Sequence, residues 1–83
     1  MIAMINRNIF SLRATLAGIA LGERLLADKR YEPALAALLE VVRRDRGALR
    51  TSARKLMVEV FKLAEDEAAL VSEYRKLLAG ALY

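Results

Sequence analysis

Apolar residues recur every three or four positions along most of the chain, and no segment alternates strictly between apolar and polar residues. The first spacing places apolar side chains on one face of an α-helix, whereas a half-buried strand requires alternation. The pattern predicts four helices, which begin near Ser11, Tyr31, Thr51 or Ser52, and Asp66 or Glu67. Because the connections are short, neighbouring helices are expected to lie antiparallel. The predicted fold is all-α, with two stacked antiparallel helical hairpins over residues 11–46 and 50–82.

Each predicted helix has one apolar face that is expected to form the core. In the second helix this face consists of Tyr31, Ala34, Leu35, Leu38, Leu39 and Val42. In the third it consists of Ala53, Leu56, Met57, Val60, Phe61 and Ala64, and in the fourth of Leu70, Val71, Tyr74, Leu77, Leu78, Ala81 and Leu82. Gly47 follows the second helix, where a left-handed glycine C-cap is common. Thr51 or Ser52 is expected to cap the third helix.

The segment Met1–Phe10 differs from the predicted helical domain at residues 11–83, because it is rich in large apolar side chains and has no polar face of comparable strength. Two interpretations stay open. The segment is either an extra turn folded onto the first hairpin, or a segment that packs on an upstream domain or on a second copy of the chain.

The composition excludes several classes of chemistry. The chain has neither cysteine nor histidine, which excludes disulfides, thiol catalysis and thiolate zinc sites, and removes the commonest general base and transition-metal ligand. The serine and threonine hydroxyls therefore have no histidine to activate them. We expect a protein that is not an enzyme and that holds no metal or cofactor.

The longest charge-free stretch within the helical part, Ala14–Gly22, is far shorter than the roughly 20 residues that a membrane-spanning helix requires. Arg7 and Arg13 precede this stretch in the order typical of a secretory signal. A helix that packs on the following one explains the stretch equally simply, and we favour that interpretation and expect no membrane association.

The basic excess is concentrated around one predicted turn. Residues 43–55 have a net charge of +5, against −1 for the rest of the chain and +4 overall. The basic residues are Arg43, Arg44, Arg46, Arg50, Arg54 and Lys55. They form either a solvated turn that complements the end of the second helix, or a docking patch for an acidic partner surface. Nucleic acid is disfavoured as a partner, because no aromatic residue is interleaved with the arginines and no glycine-rich phosphate loop is present.

Part of the chain resembles the 34-residue tetratricopeptide repeat. Leu21 and Gly22 coincide with the Leu-Gly pair of that pattern, and Ala34 coincides with its later alanine. Four positions depart from the pattern, since it has tryptophan, tyrosine, phenylalanine and proline where this chain has Gly18, Leu25, Leu38 and Arg46. The segment from about Thr15 to Ala48 therefore resembles one repeat with altered aromatic positions.

The downstream half is similar to a narrower family. The similarity is carried by Arg43-Arg44-Asp45-Arg46, Ala53-Arg54-Lys55, Val60-Phe61-Lys62-Leu63, Leu70-Val71, Tyr74-Arg75-Lys76-Leu77-Leu78-Ala79 and Ala81-Leu82-Tyr83. These segments resemble the C-terminal tetratricopeptide-like region of bacterial thioredoxin–tetratricopeptide co-chaperones. The resemblance implies a cytoplasmic module that binds unfolded clients and passes them to chaperones. This chain lacks the length and the cysteines of a thioredoxin domain, so only the non-redox part of that activity is implied.

In the repeat register, the groove positions of the first hairpin are Leu16, Ile19, Glu23 and Leu26. They are mostly apolar, and the Lys/Asn pattern that would clamp a peptide's terminal carboxylate is absent. These residues are expected either to pack under Met1–Phe10 or an upstream helix, or to form a groove for partly unfolded chains or a partner helix. Because two hairpins make a short array, homo-oligomerisation is an alternative function, and a basic nucleic-acid-binding protein is a further one.

Overall fold

A computed structural model describes residues 16–82, and the described residues are helical apart from three short connections. Helix α1 covers residues 16–27, and it is followed by α2 (Tyr31–Arg44), α3 (Ala48–Leu63) and α4 (Ala68–Leu82). The predicted all-α fold with tetratricopeptide-like hairpins is confirmed. The predicted helix start at Ser11, the segment Met1–Phe10 and the terminal Tyr83 lie outside the described residues.

Helix α2 is the centre of the core. Its side chains Leu35, Leu38 and Val42 are fully buried, and α3 and α4 both pack against it. Among residues 16–82, the remaining buried apolar residues are Ala34, Leu39, Val41, Ala53, Met57, Val60, Phe61, Ala64, Val71 and Leu78. The face predicted for α2 is therefore buried, although Tyr31 is only partly so and Val41 belongs to the face as well.

Two glycines allow α1 to approach α2 closely. A Cβ atom added at Gly22 would lie 2.7 Å from Cγ and Cδ2 of Leu38, and one added at Gly18 would lie 2.7 Å from Cγ2 of Val41. Real Cβ atoms do not approach other carbons so closely, so a side chain at either position would require the facing side chain or the helices to shift. Gly18, which departs from the repeat pattern in sequence, thus has the same packing role as Gly22.

The second hairpin is less tightly closed. One repeat period of 34 residues after Gly22, the chain has Leu56 in place of a glycine. Helices α3 and α4 approach each other at few backbone positions. A cleft of about 420 Å³ lies between them, with Phe61 and Val71 among its lining residues. Helices α3 and α4 therefore meet along an open cleft and not along a close contact.

The connections correct the prediction that Gly47 caps the end of the second helix. Gly47 is not a left-handed C-cap: its φ is −108°, and it precedes α3, with its N–H donating to Oδ1 of Asp45 at 2.7 Å. The left-handed residue is Lys29, with φ of 62°, in the connection after α1. There the N–H groups of Lys29 and Arg30 donate to the carbonyls of Leu26 and Leu25, which is the Schellman arrangement.

The predicted start of α3 is too late, and the predicted start of α4 is too early. Helix α3 begins at Ala48 rather than at Thr51 or Ser52, and no side chain caps it. Helix α4 begins at Ala68, after the acidic residues expected to open it. Leu77, which was assigned to the buried face of α4, is 36% exposed. Its position on the outer face follows from α4 packing on α2 mainly through Val71 and Leu78.

Tyr74 lies where α4 packs near α2, and its environment favours the neutral phenol. Burial raises the pKa of the Tyr74 hydroxyl above its ordinary value, and the charges of Glu32 and Glu73 raise it further, against a smaller opposing effect of Arg43. Glu32 and Arg43 both belong to α2, the helix on which α4 packs.

We predict that Gly22→Ala destabilises the fold whereas Gly80→Ala does not. A methyl group at Gly22 would overlap the buried side chain of Leu38, while nothing lies within 4 Å of a Cβ at Gly80. Gly80→Ala should raise the free energy of unfolding by about 0.5–1 kcal/mol through helix propensity. The free energy of unfolding of the Gly22→Ala protein should be about 1–3 kcal/mol lower than that of the Gly80→Ala protein, because the added methyl group overpacks the contact with Leu38. Urea denaturation measures both, and equal stabilisation by the two alanines would contradict the close approach of α1 and α2.

We also predict that Tyr74→Phe flattens the loss of stability at alkaline pH. The raised pKa means that the unfolded chain ionises first, near about pH 10, so the contribution of Tyr74 is complete below that pH and is lost as pH rises through the folded-state pKa. The two proteins should differ little in pH dependence near neutrality and should diverge above about pH 10. Thermal unfolding across this range tests the prediction, which parallel curves would contradict.

Candidate protein-binding groove

Helices α1 and α3 lie side by side and enclose an open groove of about 580 Å³. Leu16, Ile19, Ala20 and Glu23 line it from α1, and Leu49, Ser52, Lys55 and Leu56 line it from α3. The two helices are brought together because α2 holds α1 through the two glycines and holds α3 through the main core. The groove is thus a product of the packing on α2 and not of either helix alone.

The groove has an apolar floor and a sparse polar rim. Ile19, Leu49 and Leu56 are partly buried, whereas Leu16 is 49% exposed. Glu23 and Lys55 are exposed and contribute one negative and one positive charge. Such a surface can bury apolar side chains of a partner, but it offers few groups that would select one polar sequence over another.

The structure brings together three of the four residues predicted for the groove. Leu16, Ile19 and Glu23 line it, while Leu26 is partly buried against the core. Sequence reasoning missed the contribution of α3. Leu49 was overlooked because the predicted start of α3 was placed after it, and Leu56 was assigned to the core face. The i, i+3, i+7 spacing of Leu49, Ser52 and Leu56 was the signal that could have found them.

The basic residues are divided between two roles. The guanidinium of Arg43 lies 3.3 Å from Glu40, and that of Arg44 lies 3.5 Å from the same carboxylate. Nε of Arg50 donates to the carbonyl oxygens of Val42 at 3.1 Å and Asp45 at 3.0 Å. Arg50 therefore ties the beginning of α3 to the end of α2, and these three side chains are engaged within the domain.

The other three basic residues are exposed. Arg46, Arg54 and Lys55 form no ion pair within residues 16–82. Arg54 and Lys55 share an exposed surface of α3 with Lys62, and Lys55 also lies at the rim of the groove. The positive charge available to a partner is therefore smaller than the sequence indicates, and part of it borders the groove. Its use as a docking patch stays a prediction.

The cleft between α3 and α4 is a second concave surface. The guanidinium carbon of Arg75 lies 5.6 Å from the centre of the Phe61 ring, which is within the range of a cation–π contact. Ser72 and Lys76 of α4 and Glu65 near the end of α3 complete the polar lining. The Arg75 head already covers part of the apolar floor, so this cleft is the more polar of the two surfaces.

The arrangement matches a known repeat architecture. A family model described as tetratricopeptide repeat matches residues 14–83 of the chain. The chain belongs to the tetratricopeptide repeat family. No curated protein and no solved structure matches it. In tetratricopeptide hairpins the first helix of each pair lines the inner groove, and here α1 and α3 are those helices.

Tetratricopeptide repeats generally mediate protein–protein interactions and are generally non-catalytic, which supports the expected protein partners. Within residues 16–82, no three acidic side chains come together as a metal-binding group. None of the helices in that range is both long and apolar enough to cross a membrane. The family assignment therefore directs attention to the groove as a protein-binding surface.

We predict that Arg50 stabilises the turn between the tetratricopeptide hairpins, whereas the neighbouring Arg54 does not. Arg50→Met removes a charged donor from two carbonyl oxygens and should lower the free energy of unfolding by about 1–3 kcal/mol. Arg54→Met is the control, because Arg54 is exposed, and it should change stability by less than about 0.5 kcal/mol. Urea denaturation of both variants provides the measurement. An Arg50→Met protein as stable as Arg54→Met would show that the two hydrogen bonds are unimportant.

Proposed function

We propose that this tetratricopeptide domain binds apolar segments of partly unfolded client proteins in the groove between α1 and α3, as the client-binding module of a co-chaperone. The observation that carries the proposal is the groove itself, which has an apolar floor, one charge of each sign and an open shape. Its volume of about 580 Å³ is within the range of pockets that hold several apolar side chains.

The chemistry of the groove suits a class of partners better than a single sequence. Unfolded chains differ from folded ones in exposing leucine, isoleucine, valine and aromatic side chains. Burial of such a side chain contributes about 1.5–3 kcal/mol without requiring directional hydrogen bonds. Leu16 is half exposed, so a bound client would bury apolar surface on both partners.

The resemblance to thioredoxin–tetratricopeptide proteins supports the co-chaperone part of the proposal. That family couples a similar C-terminal region to client holding and to transfer toward chaperones in the cytoplasm. We accordingly propose a cytoplasmic location and a chaperone as the second partner. The exposed Lys55 at the rim of the groove, with Arg54 and Lys62 on the adjoining surface of α3, offers a positively charged surface for an acidic region of that chaperone.

We predict that Leu16→Glu weakens client binding by about tenfold or more, since it removes apolar contact worth at least about 1.4 kcal/mol and places a charge in the groove. Leu63→Glu is the matched control. Leu63 is 57% exposed on α3 and does not line the groove. The probe is a fluorescently labelled protein that is kept unfolded by reduction and carboxymethylation. Fluorescence anisotropy measures its affinity for both variants. The native form of the same protein is the negative control and should not bind.

Equal weakening by Leu16→Glu and Leu63→Glu would contradict the groove as the binding site.

A peptide with an acidic C-terminus should not bind with micromolar affinity, because no carboxylate clamp is expected in the groove. Sedimentation at the same protein concentrations tests homo-oligomerisation, and a concentration-dependent mass that Leu16→Glu abolishes would favour the assembly alternative. Binding of nucleic acid that falls steeply with salt would favour the basic surface instead.

A further inference from the structure

The cleft between α3 and α4 contains two cations that have no partner within the domain. Arg75 and Lys76 line it from α4, and neither forms an ion pair within residues 16–82. The acidic residue of the lining is Glu65, so positive charge exceeds negative charge there. A concave surface with this balance attracts an acidic partner and disfavours a basic one.

The guanidinium of Arg75 is held in place while its hydrogen-bond donors stay available. Its central carbon lies 5.6 Å from the centre of the Phe61 ring, within the range of a cation–π contact. The ring has no oxygen acceptor, and within residues 16–82 Arg75 donates no hydrogen bond to another group. Its planar set of N–H groups therefore matches the two oxygens of one carboxylate. Because the side chain is already held against the ring, a bound carboxylate orders it at a smaller entropic cost.

The same cleft has an apolar floor beneath the cations. Phe61 and Val71 are buried, whereas Arg75 and Lys76 are exposed, so the apolar groups lie at the floor and the cations at the mouth. The volume of about 420 Å³ is at the lower end of the range of pockets that hold a small ligand. The cleft therefore suits a few side chains of a partner and not a whole helix.

The length of the cleft and the separation of floor and mouth define the partner further. Its lining extends along α4 from Ala68 to Lys76, which is about 12 Å at the rise of an α-helix. An extended segment of about four residues has the same length. Alternate side chains of such a segment point to opposite sides. Apolar side chains at alternate positions can therefore enter the cleft while acidic ones between them stay at its mouth.

We propose that the cleft between α3 and α4 is a second protein-binding site, which takes a short extended segment of a partner with alternating apolar and acidic residues. The carboxylates pair with Arg75 and Lys76, and the apolar side chains contact Phe61 and Val71. The cleft shares no lining residue with the groove between α1 and α3. The proposal therefore does not rest on client binding in the groove, and both sites can be occupied at the same time.

The occupant is tested with peptides whose ends are acetylated and amidated, so that no terminal charge contributes. The probe contains Leu-Asp-Leu-Glu between Gly-Ser flanks. Replacement of the acids by amides gives Leu-Asn-Leu-Gln, and replacement of the leucines gives Ala-Asp-Ala-Glu. Phe10→Leu leaves Phe61 as the only phenylalanine of the chain, so 4-fluorophenylalanine incorporation gives one fluorine NMR signal in the cleft. The probe should shift this signal saturably, and both control peptides should bind at least about tenfold more weakly.

The contribution of Arg75 is tested by exchanging single cations. Arg75→Met keeps apolar contact with Phe61 but removes the donors, and it should weaken binding of the probe by about tenfold. Arg54→Met is the control, because it removes an exposed cation of α3 that does not line the cleft, and it should change the affinity by less than about twofold. Arg75→Lys should lie between these two variants, because lysine keeps the charge but lacks the planar pair of donors.

Several outcomes would overturn the proposal. They are the absence of a saturable shift at about 1 mM probe, a weak affinity compared with that of typical small interfaces, and equal binding of the probe and Ala-Asp-Ala-Glu. Equal effects of Arg75→Met and Arg54→Met would overturn it as well. A single-stranded oligonucleotide that shifts the signal as the probe does would assign the cleft to polyanions in general. A shift caused by protein concentration alone would identify the occupant as a second copy of the chain. Leu16→Glu should leave binding of the probe unchanged, so failure of client binding in the groove is distinguishable from failure of this site.

Discussion

The close contact between α1 and α2 is the constraint on which the arrangement of this domain depends. Gly18 and Gly22 let the backbone of α1 approach side chains of α2 to a distance that no Cβ atom would allow. Helix α2 carries the contacts to α3 and α4 as well. With α1 and α3 both held on α2, their outward faces become the two sides of one groove. The groove is therefore a consequence of how closely one helix pair can pack.

The two hairpins differ in how closely their helices pack. The first hairpin has glycine at the crossing, whereas the second has Leu56 at the corresponding position of the repeat. Helices α3 and α4 are separated by an open cleft, in which Arg75 covers part of the Phe61 ring. Leu56 does not line this cleft and contributes to the groove on the other side of α3.

The basic turn shows how charge counted in a sequence differs from charge available to a partner. Arg50 is engaged by backbone carbonyls of the turn, and Arg43 and Arg44 share the carboxylate of Glu40. The hydrogen bonds of Arg50 satisfy acceptors at the end of α2 that have no partner within the helix. Of the three exposed cations of this region, Arg54 and Lys55 lie on α3, and Lys55 borders the groove. An acidic partner would meet one cation at the rim of the apolar surface and the other on the adjoining surface of α3.

The apolar period by itself determined the number and type of the helices and most of the buried face of α2, because burial of one face every 3.6 residues is a local property of the chain. Gly22 at the first crossing was also readable from the repeat pattern, whereas the packing role of Gly18, which departs from that pattern, was not. Only the tertiary structure decided which residues close the turns, because Lys29 adopts the left-handed conformation and Gly47 does not. It also decided that Arg50 is a structural residue and that Leu49 and Leu56 complete the groove. These assignments depend on contacts between helices that are distant along the chain, and a local pattern contains no information on the distance or rotation between two packed helices.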